Sequence, residues 1–361
     1  MSSLIKNTKV RIKKNLHTLY KNIEIKEKRL NYLFLEITRI CNLNCLHCGS
    51  DCKSVSSSNQ LSTESWKKII DYICVNFSNK VRIVITGGEP LMHQDLCEIG
   101  AYISSKKMKW GMVSNGILLD KDKMNNLENA GISSLTLSMD GLEESHNYLR
   151  NSRIAFLSIL RSIEALGCSN LEFKDVVTCV YSKNLKELDQ IAEVLIENKI
   201  KSWRLFRIFP SGRAARNKEL QLSFDQTQEM ISWIASNKKA LALKGLNLNL
   251  SCEGWIPFET DMTVRDTPFF CRAGISVASI LCDGTITGCS NNHESFYRGN
   301  IMKDDFKEMW INRFDDFRKR DWIHEKNCNN CDALKQCKGS SIHLWDLGNE
   351  QPNFCYYKDL C

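Results

Sequence analysis

No stretch of these 361 residues approaches the roughly 20 consecutive apolar side chains that a membrane-spanning helix needs, which excludes a helical membrane protein. The N-terminus has no continuous apolar run of the kind an export signal carries, so a reducing, cytoplasmic setting is expected. Internal repeats and long low-complexity tracts are also missing. With 43% hydrophobic and 25% charged residues, the bulk of the chain is not disordered.

Charge excess is absent from most of the chain as well. The net charge is +7, and residues 1–30 hold all of it, with nine basic side chains against Glu24 and Glu27. A nucleic-acid-binding body would carry basic stripes in its folded part, so no nucleic-acid partner is expected. In the basic tail, Leu16, Leu19, Tyr20 and Ile23 fall at helical spacing. They predict a solvated amphipathic helix packed on the outside of the main domain. Contact with a membrane surface or an acidic peptide is the lesser alternative.

Cysteine, in contrast, is abundant. Seventeen is an odd number that cannot pair fully, and a chain of this length has core enough to need no disulfide staples. In a reducing compartment, clustered cysteines read as metal ligands.

From residue 31 to about 240, strand-like and helix-like segments alternate through six units, beginning with the aromatic and β-branched run Tyr32–Thr38. This predicts an α/β fold, a parallel sheet or partial (β/α)6 TIM-like barrel. Polar or glycine-rich clusters follow the strands: Cys41–Cys48, Gly87-Gly88-Glu89-Pro90, Ser114-Asn115-Gly116, Ser138–Gly141 and Pro210–Arg213. In βα barrels the C-terminal ends of the strands carry the active site, so the chemistry is expected on one rim. Beyond residue 245 the pattern changes to a hairpin at Ser276–Cys289, turned at Asp283-Gly284, and to dense cysteines. The expected organisation is a basic N-terminal extension (1–30), a barrel (31–245) and a small cysteine-rich domain (246–361).

Cys41-x3-Cys45-x2-Cys48 places three thiols on one short loop. Three thiolates can hold three irons of a [4Fe–4S] cube and leave the fourth iron open for chemistry. A zinc knuckle with His47 or Cys52 as fourth ligand is the alternative on spacing alone. The triplet after the first strand, followed by Gly-Gly-Glu-Pro after the second, resembles the radical S-adenosylmethionine (radical SAM) superfamily in motif order. That resemblance implies a SAM-binding [4Fe–4S] cluster on Cys41, Cys45 and Cys48. Reductive cleavage of SAM would give a 5′-deoxyadenosyl radical, with an electron donor such as flavodoxin or ferredoxin. It further implies SAM contacts from Gly87, Gly88, Glu89 and Pro90, from Asn115, and from Ser138 and Asp140. Arg150 and Arg213 are candidates to pair with a SAM or substrate carboxylate, against ordinary loop hydrogen bonding.

Cys271, Cys289, Cys328-x2-Cys331-x5-Cys337 and Cys355 resemble the SPASM extension of peptide-modifying radical SAM enzymes. The resemblance implies one or two auxiliary [4Fe–4S] clusters: an outer quartet of Cys328, Cys331, Cys337 and Cys355, and an inner set including Cys271 and Cys289. One family position is Ser341 here, and Cys252 or Cys282 are candidates to fill it; otherwise the inner cluster is incomplete, open to substrate or not assembled, or a single auxiliary cluster draws on both groups. Zinc on the Cys328–Cys331 pair is again the alternative. Cys74, Cys97, Cys168 and Cys179 read as core thiols, and Cys361 has no assigned role. Trp203, Phe206, Phe209, Trp255 and Phe270 read as core packing rather than a substrate channel.

The implied function is modification of a peptide or small protein by crosslinking, epimerisation or side-chain oxidation. Similarity to radical SAM proteins encoded beside small lipoproteins is a looser match. The N-terminal extension is too short for a separate leader-binding domain, so a peptide would dock elsewhere. A small-molecule dehydrogenase or sulfatase-type maturase is one alternative, and a zinc-binding structural or interaction protein the other.

Overall fold

The computed structural model describes residues 2–52, 60–347 and 350–357. A long helix α1 (Ser2–Glu27) leads into β1 (Tyr32–Thr38), α2 (Thr63–Asn76), β2 (Arg82–Gly87), α3 (Leu96–Ser105), β3 (Trp110–Ser114) and α4 (Lys121–Asn129). The alternation continues through β4 (Ser134–Ser138), α5 (Glu143–Arg150), α6 (Ala155–Cys168), β5 (Phe173–Val180), α7 (Leu188–Glu197), β6 (Ser202–Arg207), α8 (Phe224–Leu243) and β7 (Asn247–Leu250). Neighbouring strands from β1 to β7 pair in parallel and in sequence order. This is the α/β partial barrel that the alternating pattern implies, with β7 added beyond the six expected units.

The chain then returns to the other side of β1. After α9 (Phe258–Val264), β8 (Val277–Ile280) pairs parallel with β1, and β9 (Thr285–Thr287) and β10 (Gly299–Asn300) extend the edge antiparallel. The β8–β9 pair is the expected hairpin. Residue 245 falls between α8 and β7, so one ten-stranded sheet includes strands from both sides of it. The remainder is short: α10 (Phe306–Asn312), α11 (Asp315–Arg318), α12 (Leu334–Cys337) and a small ribbon of β11 (Trp345–Asp346) with β12 (Gln351–Pro352).

Local chemistry explains the elements. Leu33, Leu35 and Ile37, which share one face of β1, are fully buried and turn that face into the core. Ser62 caps α2 by accepting from Ser65 N (3.2 Å), Asp120 caps α4 through Lys123 N (2.8 Å), and Ser223 with Gln226 forms a capping box on α8.

The N-terminal helix forms as expected but turns the other way. Leu16, Leu19 and Ile23 are exposed, Leu16 at 60%, while the partly exposed Tyr20 ring meets Phe270 edge-on. The docked face carries His17, against Phe258 and Phe270, and Glu24, which is buried, pairs with Arg272 (3.3 Å) and accepts from Ser276 Oγ. A buried charge pair and ring contacts to the C-terminal region outweigh the apolar stripe. Among the described residues, no helix is long and apolar enough to cross a membrane.

Candidate active site

The C-terminal ends of the strands meet around a cavity of about 320 Å³. Cys41, Cys45 and Cys48 line it together with Gly87, Gly88, Asn115 and Arg150. Four expected residues contribute differently. Glu89, Pro90 and Asp140 are buried, and Ser138 is half-buried with its carbonyl facing Arg150 (3.4 Å).

The two glycines are needed because backbones meet there. A Cβ on Gly87, whose φ is +148°, would lie 2.1 Å from Thr38 O, and one on Gly88 would lie 2.3 Å from Ile40 O. Gly88 N donates to Thr38 O (2.8 Å) and Glu89 N to Ile40 O (2.9 Å), so this turn is clamped against the start of the cysteine loop. Pro90 starts a short 3-10 turn. The Glu89 carboxylate accepts from Ser114 Oγ (2.8 Å), Asn115 N (2.7 Å) and Leu91 N (3.1 Å). Burial raises its pKa, opposed by these donors. Glu89 therefore ties the turn after β2 to the turn after β3.

Asn115 reaches the cysteine loop itself, donating from Nδ2 to Asn42 Oδ1 (2.8 Å) and lying 3.8 Å from Cys41 Sγ. Arg150 Nη1 lies 3.8 Å from Cys45 Sγ, and its Nη2 pairs with Asp140 at 2.6 Å. Burial alone would raise the pKa of Asp140, but the charges of Arg150 and His47 hold it well below the carboxylate range. Arg213 closes the loop from the other side, donating to Cys45 O (2.7 Å) and Cys52 O (2.8 Å) and pairing with Asp51 (2.8 Å). Both arginines are thus engaged with the loop.

Burial pushes the Cys41 thiol up to about 11 and raises Cys45 as well. A hydrogen bond from Cys52 lowers the pKa of Cys48. Cys52 is buried and also lines the cavity.

Sequence reasoning placed Phe206, Phe209 and Cys179 in the core, yet all three line the cavity, as do His47, Arg207 and His343. Cys179 alternates with the fully buried Val176, Thr178 and Val180 near the end of β5, and its two-residue phase with cavity-lining Val177 was the available signal. Trp203 is core as expected, whereas Cys97 and Cys168 are exposed rather than packed.

Further along, Cys328, Cys331, Cys337 and Cys355 line one cavity of about 220 Å³. Burial, then the Cys355 and Cys328 sulfurs, push the Cys337 thiol up to about 12. Cys361 lies outside the described residues.

Tetrahedral zinc thiolates hold their sulfurs about 3.8 Å apart, as bonds of about 2.3 Å require. Among the described residues, the group of three potential ligands gathered within 4.8 Å is His47, Asp140 and Cys179, with Arg150 already on the carboxylate. Three thiolates on one loop suit an iron–sulfur cube with one iron left open.

A profile of the radical SAM superfamily matches residues 35–195, and one for an iron-sulfur cluster-binding domain, SPASM, matches residues 271–332. The chain carries a radical SAM domain followed by a SPASM domain. With these domains it uses SAM and a [4Fe–4S] cluster, and its C-terminal region binds one or two auxiliary Fe–S clusters.

Similar radical SAM proteins include the Fe-coproporphyrin III synthase of Methanosarcina barkeri, 27% identical over 84% of this chain and 81% of its own. The AdoMet-dependent heme synthase of Nitratidesulfovibrio vulgaris is 26% identical, covering 90% and 91%. Mycofactocin maturase MftC of Mycobacterium tuberculosis is 24% identical, covering 85% and 77%. Among solved structures, anSMEcpe with bound AdoMet aligns at TM-score 0.70 and 19% identity over 91% of this chain and 95% of that one. Streptococcus suis SuiB bound to S-adenosylmethionine aligns at 0.68 and 16% over 86% and 73%.

Proposed function

We propose that this radical SAM enzyme modifies a peptide or small protein by crosslinking, epimerisation or oxidation of a side chain. The observation that carries the reading is the continuity of the site with a larger opening. A second cavity of about 520 Å³, reaching Arg39, Asn292, His293 and Trp345, shares Gly49, Ser50, Ser211, Asn291 and His343 with the inner one. A continuous opening between the barrel rim and the C-terminal region suits an extended chain better than a closed small-molecule pocket. MftC is named a maturase, and one SuiB structure holds its precursor peptide SuiA.

The cluster and SAM, when bound on Cys41, Cys45 and Cys48, supply a 5′-deoxyadenosyl radical that removes hydrogen from substrate. Around them, Arg150 and Asn115 place positive charge and a polar N–H beside the cysteine sulfurs. Phe206, Ile208 and Phe209 give the cavity an apolar wall that excludes water. A flavodoxin- or ferredoxin-type donor in the cytoplasm completes the reading.

A tetrapyrrole substrate is the second reading, favoured by the two heme-pathway relatives. The site supports it less. Each arginine lining the inner cavity already has a carboxylate: Arg150 with Asp140 (2.6 Å), Arg207 with Glu253 (2.8 Å) and Arg213 with Asp51 (2.8 Å). The carboxylates of a coproporphyrin would have to displace them.

The test is mass spectrometry of a candidate peptide encoded nearby, co-expressed with the enzyme, beside anaerobic incubation of the enzyme with iron coproporphyrin III. Loss of two hydrogens from the peptide, or deuterium uptake from heavy water without another mass change, supports peptide modification. Loss of porphyrin carboxyl groups with the peptide unchanged overturns it in favour of the second reading.

A further inference from the structure

The loop after β7 presents a cysteine that belongs to neither cluster described above. Its backbone is firmly held: Arg265 Nη2 donates to Ser251 O (2.9 Å) and Gly254 O (3.2 Å), and Arg207 grips Glu253. Facing it is the loop after α12. Trp255 N donates to Ser340 Oγ (2.8 Å), and a Cβ on Gly254 would lie 2.5 Å from the same oxygen. Across this seam Cys252 Sγ lies 3.9 Å from Ser341 Oγ, and Ser341 is fully buried.

Two further sulfurs approach the same place. Arg320 donates both to Ser340 O (2.6 Å) and to Cys271 O (3.5 Å), which brings the Cys271 backbone to the same seam, and a Cβ on Gly288 would lie 2.8 Å from Gly274 N, so the Cys289 segment packs against the one that follows Cys271. Cys252 keeps an exposed surface, as a ligand facing a bulky group would. Cys282 stands elsewhere: its N–H points to Glu36 and its carbonyl accepts from Leu61 N (2.8 Å).

We infer that the inner auxiliary cluster of this chain is held by Cys252, Cys271 and Cys289, with the Ser341 oxygen as its fourth ligand. This rests on the reading that the SPASM region carries an inner cluster, and it assigns that cluster's ligands. Cys252 supplies the third thiolate from the barrel side of the seam. Ser341 stands where a fourth thiol is expected and is buried beside that thiolate. On binding iron, the serine hydroxyl gives up its proton to solvent and an iron–oxygen bond forms, so the ligand charge matches that of a fourth thiolate. Oxygen is the harder donor and favours ferric over ferrous iron, so the potential falls below that of a four-cysteine cluster.

The test uses the full chain, reconstituted anaerobically, with iron and sulfide counts and an EPR-monitored redox titration. SAM-dependent perturbation of the first cluster's EPR signal serves as the folding control. Wild type is expected to hold about twelve irons, and Cys252→Ala and Cys271→Ala each to lose about four, while Cys282→Ala loses none. Ser341→Cys is expected to keep all the iron and to raise the potential of one component. Full iron in Cys252→Ala, with Cys271→Ala depleted, overturns the ligand assignment alone. An unshifted EPR component in Ser341→Cys overturns the oxygen ligand. If wild type holds about eight irons and Cys271→Ala loses none, the inner cluster itself is refuted, and the proposal with it.

Discussion

Arg207 donates from Nε to Glu253 Oε2 at 2.8 Å, joining a residue that lines the SAM-side cavity to the residue that follows Cys252. Tyr356 Oη adds a bond to the same carboxylate oxygen (3.0 Å), and both charged side chains are buried. The pair therefore locks the barrel to the C-terminal region through one buried ionic contact. Breaking it leaves Glu253 buried without its counter-charge, so Arg207→Met is expected to cost about 3–5 kcal/mol. Replacing both partners with Met removes that uncompensated charge and is expected to recover most of the loss. Urea unfolding of the wild type, both single variants and the double variant checks this. Equal losses in Arg207→Met and in the double variant would sink it.

The Asn115 N–H near Cys41 Sγ stabilises negative charge on the sulfur. Hydrogen bonds to cluster sulfurs help set the reduction potential, and removing one makes the cluster harder to reduce. Asn115→Leu is expected to bind a full first cluster at a more negative potential and to cleave SAM more slowly with the same reductant. A redox titration followed by EPR reports the shift, and an unchanged potential would refute the role.

Cys45 is buried, with Arg150 beside its sulfur and Arg213 holding its carbonyl. Cys45→Ala is expected to lose about four irons and to form no 5′-deoxyadenosine on reduction, while the auxiliary cubes remain. SAM cleavage at wild-type rate would remove Cys45 from the site.

Gly88 tests the clamp between the second strand and the cysteine loop. A methyl group there would meet Ile40 O at 2.3 Å, so backbone must move. Gly88→Ala is expected to cost about 1–3 kcal/mol and to reduce iron loading of the first cluster selectively. Thermal melts with iron analysis measure both, and a fully loaded, equally stable variant would contradict the clamp.

His146 gives a pH signature. Burial, then the charge of Arg150, lower its pKa to about 3, and its Nδ1 accepts from Asp140 N (2.9 Å), so it is neutral in the fold. The unfolded chain takes up a proton near pH 6.5 and the native state does not. Stability is therefore complete above that pH and is lost as pH falls from about 6.5 towards 3, by up to about 1.4 kcal/mol per unit. His146→Asn keeps an acceptor for Asp140 N without the titration. Between pH 7 and 5 the wild type is expected to lose about 2 kcal/mol more than this variant. Parallel urea-unfolding curves would exclude the effect.

How far the sequence carried can be seen residue by residue. The loop Cys41–Cys48 and the Gly-Gly-Glu-Pro turn were legible because their chemistry is local: a short loop fixes thiol spacing, and glycines mark where backbones must touch. The alternation of β1 to β6 with helices was legible for the same reason, since side-chain periodicity is a short-range property. Phe206, Phe209 and Cys179 were not, because an apolar side chain at a strand end looks the same whether it faces a helix or a cavity. The outward Leu16 stripe on α1 was misread on similar grounds, as Glu24 found a buried partner in Arg272, distant in sequence.

The sequence by itself therefore determined the fold class, the cluster loop and the radical SAM and SPASM domains, all of them written in contiguous patterns. Only the tertiary structure decided which of the remaining cysteines answers Ser341. Cys252 and Ser341 are 89 positions apart, and they meet because β7 closes one edge of the sheet while the C-terminal loops fold back over the rim. Such proximity depends on how the whole sheet is ordered, which no local spacing records.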